Sequence, residues 1–514
     1  MSDVGIAGVH PASTSDVGPG GKTVQQYIDE TPRWEDGTIV AMTPMTRMQW
    51  LIWGLAAAGK FFEGMVVFMT GVALPLISKD WNLGDFEHGM VAAASLLGIL
   101  VGATLLGGLS DHFGRKRMFI AEMVLFTIFL VLTCLSPSFI WFVICLLGLG
   151  VALGCDYPTA HMVISESIPS RSRGRLVLSA FGFQAVGALF GTFVGYLILV
   201  NHPQLDAWRY MYAAAIIPAV LVLIGRFYIT ESVHWLFAKG RVEEAEREAT
   251  RLLKRSPAYP TKIKLKRKKV PKAGVPVHKP ETHYGVLFSK KNRRATILAS
   301  VPWFLQDLGT YGIGIFTPVI LAAAVGHKKE HATTVADIVQ NDILAARGAA
   351  TIDVLLIVGI IVAVLLADRV GRIRLQILGF FGCAAGLLVA ALSAYVDPTL
   401  EVLMVFIGFM LFNFMTNMGP NAQTYLIAGE VFPTEVRGKG AGFAASFAKI
   451  GAVLTAFLFP VFLADFGTTA ILLALVVTSL IGAWVTWQFR IETAGLNLEE
   501  LDADIDAEYA HAPA

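Results

Sequence analysis

Long apolar runs recur along the chain, each bounded by short polar or basic stretches. A bilayer core of about 30 Å needs about 20 consecutive apolar residues per helix. Twelve runs meet that length, near 51–77, 89–109, 118–136, 138–160, 176–200, 209–229, 296–323, 349–367, 374–396, 400–427, 438–463 and 468–490. The fourth run follows the third after little more than Pro137, so a tight reversal is expected there. The pattern predicts an all-α membrane protein with twelve transmembrane helices in two six-helix bundles, 49–229 and 296–490. Between them lies a polar middle loop, 230–295, and outside them a tail at either end, 1–48 and 491–514.

Composition strengthens this reading. Apolar and aromatic residues make up 55% of the 514 positions and charged residues 16%, against about a quarter charged in soluble domains. The first 45 residues are polar and rich in Pro, Ser, Thr and Gly, and read as a disordered tail with no cleavable signal peptide. Cys134, Cys145, Cys155 and Cys383 all sit inside apolar runs with no paired spacing, so neither a disulfide framework nor a metal site is expected.

The net charge of +2 hides a segregation. With both termini on the cytoplasmic side, the inside connections carry 29 Lys and Arg and the outside ones carry five. Basic residues are retained in cytoplasmic loops, so both ends are expected in the cytoplasm and the chain in the inner or plasma membrane. The basic run Lys262 to Lys269 resembles an anionic-lipid or nucleic-acid patch. Its simpler role is to fix topology between the bundles, and no nucleic-acid partner is expected.

The two halves share a repeat. Gly108-Leu109-Ser110-Asp111-His112-Phe113-Gly114-Arg115-Lys116 follows the second run, and Leu366-Ala367-Asp368-Arg369-Val370-Gly371-Arg372 follows the eighth. Their aspartates are 257 residues apart, half the chain. Each copy offers an acid, a tight Gly turn and a basic cluster at a helix end, the parts of a charge contact that forms in one conformation and releases in another. Together with the six-plus-six layout, the pair resembles the major facilitator superfamily. The resemblance implies two bundles that rock about a midplane cavity. Nothing in the Gly-rich strings is preceded by a strand, so a dinucleotide fingerprint is not supported.

Ionisable residues inside membrane helices are expensive and mark function by default. Away from the helix ends these are Lys60, Glu63, Glu122, Asp156, Asp307 and Lys449, with Asp353 near the start of the eighth run and so expected at the interface. Trp303, Asp307 and Tyr311 are spaced i, i+4, i+8 and share one helix face. Burial and a nearby ammonium pull a carboxyl in opposite directions, which suits a proton switch. Pro158, after Asp156-Tyr157, and Gly419-Pro420-Asn421 are expected to loosen their helices at comparable places in the two halves, a pointer to a midplane site. One buried ammonium among neutral donors suits a small anion.

Here a narrower resemblance enters. Gly-x-Asp-Tyr-Pro ending helix four, Trp-Phe-x-x-Asp-x-x-x-Tyr-Gly in helix seven, and Gly-Pro-Asn through Gly-Glu-x-Phe-Pro-Thr in helix ten are similar to the phosphate:proton symporter family. That resemblance implies a phosphate site at Tyr157, Gln184, Trp303, Asp307, Tyr311, Asn421 and Lys449, with proton-pathway acids at Glu63, Glu122 and Asp156. Three features depart from it: Leu146 stands at the usual arginine, Val66 stands where helix one commonly has a second acid, and Lys60 has no counterpart. Lys60 is a candidate to replace the missing positive charge, although an ammonium lacks the planar fork of a guanidinium. The function expected is proton-coupled symport of a small anion, most simply inorganic phosphate, by a monomer without cofactor or metal and without enzyme activity. Glu231-Ser232-Val233-His234-Trp235-Leu236 resembles a loop signature shared with sugar porters. It leaves open symport of an organic metabolite such as a carboxylate, aromatic acid or sugar. A non-transporting nutrient sensor is a third reading.

Overall fold

The capping chemistry that starts the first long helix sets the pattern for the rest. Thr46 accepts a hydrogen bond from the Gln49 backbone at 3.1 Å while Gln49 accepts from the Thr46 backbone at 2.8 Å, closing a capping box. The remaining Gln49 amide donates to the Ser167 carbonyl at 2.8 Å, pinning this start to the end of a later helix. The computed structural model describes residues 9–10, 22–31, 33–34, 38–40, 43–106, 109–255, 263–265, 284–326, 335–433 and 436–493.

In chain order the helices are α1 Val24–Ile28, α2 Arg47–Trp81, α3 Asp85–Val101, α4 Leu109–Phe113, α5 Arg115–Cys134, α6 Phe139–Ser167, α7 Ser170–Phe181, α8 Phe183–Asn201, α9 Ala207–Ala214, α10 Ile216–Tyr228, α11 Val233–Ala238 and α12 Val242–Leu252. The second half holds α13 Arg293–Gly326, α14 Val335–Val370, α15 Arg372–Leu392, α16 Pro398–Met418, α17 Pro420–Glu430 and α18 Arg437–Gln488. Eleven helical stretches are long and apolar enough to cross a membrane, and the last, Lys439–Gln488, reverses at Gly467, where φ is 77°. Among the described residues that makes twelve spans, each overlapping an expected run. Strand pairing among those residues is confined to Val9–His10 with Arg33–Trp34, plus one isolated bridge.

Two expectations about local structure change. The eighth span starts at Val335 rather than near 349, so Asp353 sits in mid-helix and is buried instead of interfacial. Pro158 leaves α6 unbroken from Phe139 to Ser167. The tenth span does break where expected: Gly419 adopts φ −110° and ψ −100° between α16 and α17, and Pro420 opens the new helix where its missing N–H is unneeded.

The segment ahead of α2 includes α1, which packs on the first bundle: Asp29 accepts from the Ser170 amide at 2.7 Å and its hydroxyl at 2.8 Å, at the start of α7. In the middle segment, α12 closes on α2 through the Leu252 carbonyl, which accepts from the Thr46 hydroxyl at 2.7 Å.

Small residues let the helix backbones approach closely. A Cβ on Gly64, Gly187 or Gly191 would overlap the carbonyls of Gln184, Phe61 and Met65, so the α2–α8 pair tolerates glycine alone at these points. Large apolar side chains such as Ile128, Ile144, Ile217, Leu221 and Ile361 point outward and exposed, the surface a lipid belt requires. The halves meet along α2–α13, α3–α18 and α8–α14. At the end away from the repeated motifs they close tightly, with Phe86 packed edge-on to Phe457 at 5.3 Å.

Candidate functional site

A buried polar cluster lies where α2, α8, α13 and α18 converge. Glu63 is 2.7 Å from the Lys60 ammonium one turn earlier. From the other half, the Tyr311 hydroxyl donates to Glu63 at 3.1 Å and the Lys449 ammonium stands 3.5 Å from the same carboxylate. Lys449 also donates to the Tyr311 hydroxyl at 2.6 Å and pairs with Asp307 at 3.3 Å. Gln184 at the start of α8 donates to Tyr311 at 3.1 Å and to Glu63 at 3.3 Å. Lys60, Glu63, Asp307, Tyr311 and Lys449 are all buried. Two ammoniums and two carboxylates thus interleave around one phenol, and each charge has an opposite neighbour.

Of the expected anion-binding residues, Gln184, Asp307, Tyr311 and Lys449 come together here, with the expected proton acid Glu63. Trp303, one turn before Asp307, instead sits edge-on to Tyr425 at 6.2 Å. It lines a cavity of about 300 Å³ with Pro158, His161, Tyr425, Gly442 and Ala445. Asn421, at the start of α17, donates to Asn417 at 2.6 Å. The side chain of Tyr157 lies outside the described residues.

The cavity lining reaches Ser165 and Gly429, the sequence neighbours of Glu166 and Glu430 at the motif-bearing end. Its wall includes aromatic contact between the halves: Tyr425 stacks on Phe181 at 4.4 Å and its hydroxyl is 3.0 Å from His161. Phe181 also lies 5.8 Å beneath the Lys60 ammonium, which links the cavity wall to the charged cluster.

Glu122 and Asp156 form a second cluster inside the first bundle. Thr159 donates to Glu122 at 2.7 Å. Asp156 is paired at 2.6 Å with Arg226 of α10, whose guanidinium also donates to the Phe119 carbonyl at 2.6 Å and lies 3.5 Å over the Phe119 ring. The charge closest to Asp156 is therefore a guanidinium from the sixth span, while the Lys60 ammonium lies against Glu63. Arg226 was legible as a lone base in Leu223-Ile224-Gly225-Arg226-Phe227, but its position near a run's end hides it among interfacial residues.

At the motif-bearing end the repeat builds two matching cradles. Gly114 and Gly371 take φ of 100° and 97°, turning the chain into α5 and α15. Arg115 donates to the Ser110 carbonyl at 2.9 Å and to Glu166 at 3.2 Å, while Glu231 accepts from the Lys116 amide at 2.9 Å. Arg372 donates to the Ala367 carbonyl at 3.3 Å and grips Glu430 at 2.9 and 3.1 Å, while Glu492 accepts from the Arg372 amide at 2.9 Å. Ser232 and Thr493 hydroxyls bond Glu166 and Glu430 in turn. A carboxylate on a helix N-terminus meets unpaired N–H groups and the positive end of the dipole. Arg369 is exposed at the end of α14. Gly108 and the side chains of Asp111 and Asp368 lie outside the described residues. The four acids that complete the cradles come from distant segments, and spacing within the motif gives no hint of them.

Comparison with known proteins agrees with this architecture. A family model described as "Sugar (and other) transporter" matches residues 52–505. The inner membrane metabolite transport protein YgcS of Escherichia coli (strain K12) is 30% identical over 88% of this chain and 94% of that one. A protein of Oryza sativa subsp. japonica named "Probable inorganic phosphate transporter 1-12" is 26% identical over 89% of this chain and 92% of that one. Among solved structures, the xylose transporter XylE from E. coli in a partially occluded inward-open conformation superposes with a TM-score of 0.69 at 21% identity, covering 88% of this chain and all of that one. A second structure, described as that of the major facilitator superfamily proton:xylose symporter XylE, gives a TM-score of 0.65 at 20% identity, covering 89% of this chain and 98% of that one.

Proposed function

Because the chain belongs to the sugar (and other) transporter family and has the major facilitator fold, we propose that this membrane transporter carries out proton-coupled symport of a small anion by alternating access, with inorganic phosphate as the leading substrate. The observation that carries the reading is the junction of Glu63, Tyr311, Lys449 and Asp307. With both carboxylates ionised, each ammonium is already matched. An incoming anion competes with those carboxylates for Lys449, and a proton on Asp307 removes the competition. Anion and proton therefore favour each other's binding, which is the thermodynamic content of coupling.

In this reading Lys449 attracts the anion, and Gln184, Tyr311, Trp303, Asn421 and Tyr157 supply neutral donors to its oxygens. Glu63, Glu122 and Asp156 handle protons in the first half. The phosphate assignment is supported by the seven matching residue types and by the rice relative's name. Both termini are assigned to the cytoplasm of an inner or plasma membrane, supported by the 29-to-five bias in basic residues.

One observation favours a second substrate class. The cavity beside the cluster is walled by Trp303, Tyr425, Pro158 and alanines and has room for more than a phosphate, so an organic anion with an apolar body also fits. The deciding experiment is uptake of radiolabelled phosphate into proteoliposomes under an imposed inward proton gradient, with arsenate and aromatic carboxylates as competitors. Gradient-driven accumulation blocked by arsenate supports phosphate. No accumulation by inserted, folded protein rejects it, and accumulation of a labelled aromatic carboxylate then supports the organic reading.

A further inference from the structure

We propose that Asp353 is a second proton-binding group, placed on the seam between the two halves and separate from the central cluster. It rests on the proton-coupled reading above but needs no particular substrate. Asp353 lies halfway along α14 and is buried. One carboxyl oxygen is 3.1 Å from the Thr192 hydroxyl of α8, in the other half of the molecule. The second oxygen is 3.3 Å from the Asn413 amide of α16. Neither partner is charged.

Proton counting at Thr192 indicates which group donates. A hydroxyl has one hydrogen, yet Thr192 Oγ1 lies 3.1 Å from the Ala188 carbonyl, 3.0 Å from the Leu189 carbonyl and 3.1 Å from Asp353. Carbonyls only accept. With the hydroxyl hydrogen on either helix carbonyl, the contact with Asp353 is satisfied by a carboxyl that donates, and this is the arrangement the proposal assigns. A lone carboxylate with two neutral partners, away from water, is also strongly disfavoured.

Among the described residues, the surrounding helices place no counter-ion against Asp353. In their spanning portions, α8 contributes Tyr196, α15 Cys383, α17 Tyr425, α13 Asp307 and Tyr311, and α2 Lys60 and Glu63, while α16 carries Glu401 in its first turn. Arg171, Arg173 and Arg175 of α7 and Arg372 and Arg374 of α15 lie toward the motif-bearing end, and Asp342 and Arg347 precede Asp353 on α14. None forms an ion pair or hydrogen bond with Asp353 among the described residues. When α8 and α14 part, the carboxyl exchanges Thr192 for water and releases its proton. Closing the seam takes one up again, so protonation and the packing of the halves are linked.

Two measurements test this without any substrate. The first is infrared spectroscopy of the full-length protein in lipid nanodiscs at neutral pH. The expected result is a protonated-carboxyl C=O band that is lost in Asp353→Asn and retained in Asp307→Asn. Asparagine keeps both hydrogen bonds, so the variant is expected to fold. A band of undiminished intensity in Asp353→Asn, or its absence from the wild type, overturns the proposal. The second places spin labels at Arg175→Cys and Arg374→Cys, both exposed and on opposite halves, with the four native cysteines replaced. Raising the pH is expected to shift the inter-half distance distribution in the wild-type background and not with Asp353→Asn. An identical pH response in both overturns the proposal. Failure of phosphate uptake leaves both readouts intact, so the two proposals fail separately.

Discussion

Glu63 of the first half and Lys449 of the second stand 3.5 Å apart and share the Tyr311 hydroxyl, which donates to the carboxylate and accepts from the ammonium. The centre of the molecule is thus tied across the line along which the halves must separate. Removing the phenol oxygen keeps the ring and its 4.3 Å stacking under Lys449 but unlinks the charges. Tyr311→Phe is expected to lower proton-driven uptake at least tenfold, about 1.4 kcal/mol, with an unchanged melting profile. Initial uptake rates beside a thermal melt check this.

Asp307 and Lys449 are predicted to fail differently. Asp307→Asn leaves Lys449 available to an anion but abolishes the proton response, so solute exchange is expected to persist while gradient-driven accumulation disappears. Lys449→Ala is expected to abolish anion binding and both activities. Parallel exchange and accumulation assays on the two variants separate the roles, and wild-type accumulation by either removes that residue from the mechanism.

The Asp156–Arg226 pair is a structural commitment of the first bundle. Arg226→Met leaves a buried carboxylate without its guanidinium, a loss of about 3–5 kcal/mol. The double change Asp156→Asn with Arg226→Met is expected to recover most of that. Melting temperatures of the purified single and double variants test it, and equal loss in both would show that the packing of Arg226 on Phe119 matters more than its charge.

Gly371 combines a positive φ with crowding, since a Cβ there would press on the Glu492 carboxylate. Gly371→Ala is expected to cost about 1–3 kcal/mol in backbone strain and to displace the acid from the start of α15. Lower thermal stability with increased thiol labelling of a cysteine placed at exposed Arg374 is the expected signature.

Hydropathy made the twelve spans legible because length and apolarity are local properties of the chain. The same holds for the break at Gly419, where a Gly-Pro pair leaves helical geometry few options. The candidate site was legible in part. Asp307, Tyr311 and Lys449 stand out as polar groups in apolar runs, and the structure places them in contact. Partners from distant segments stay hidden in one sequence, as with Arg226 for Asp156, Glu231 for α5 and Thr192 for Asp353. Asp353 was misplaced because polar residues such as Gln340, Asn341 and Asp342 interrupt the apolar pattern where the helix in fact continues.

The interleaved charges at the centre also bear on what energy source the carrier can use. Lys60, Glu63, Asp307 and Lys449 sum to zero when all four are ionised. A monovalent anion arriving with one proton leaves that sum at zero, so this cluster adds no net charge to either the empty or the loaded leg of the proposed cycle. One elementary charge moved through 100 mV is worth about 2.3 kcal/mol, and a cluster balanced in this way forgoes that contribution. Any voltage dependence of accumulation would then come from groups outside the cluster, Asp353 among them.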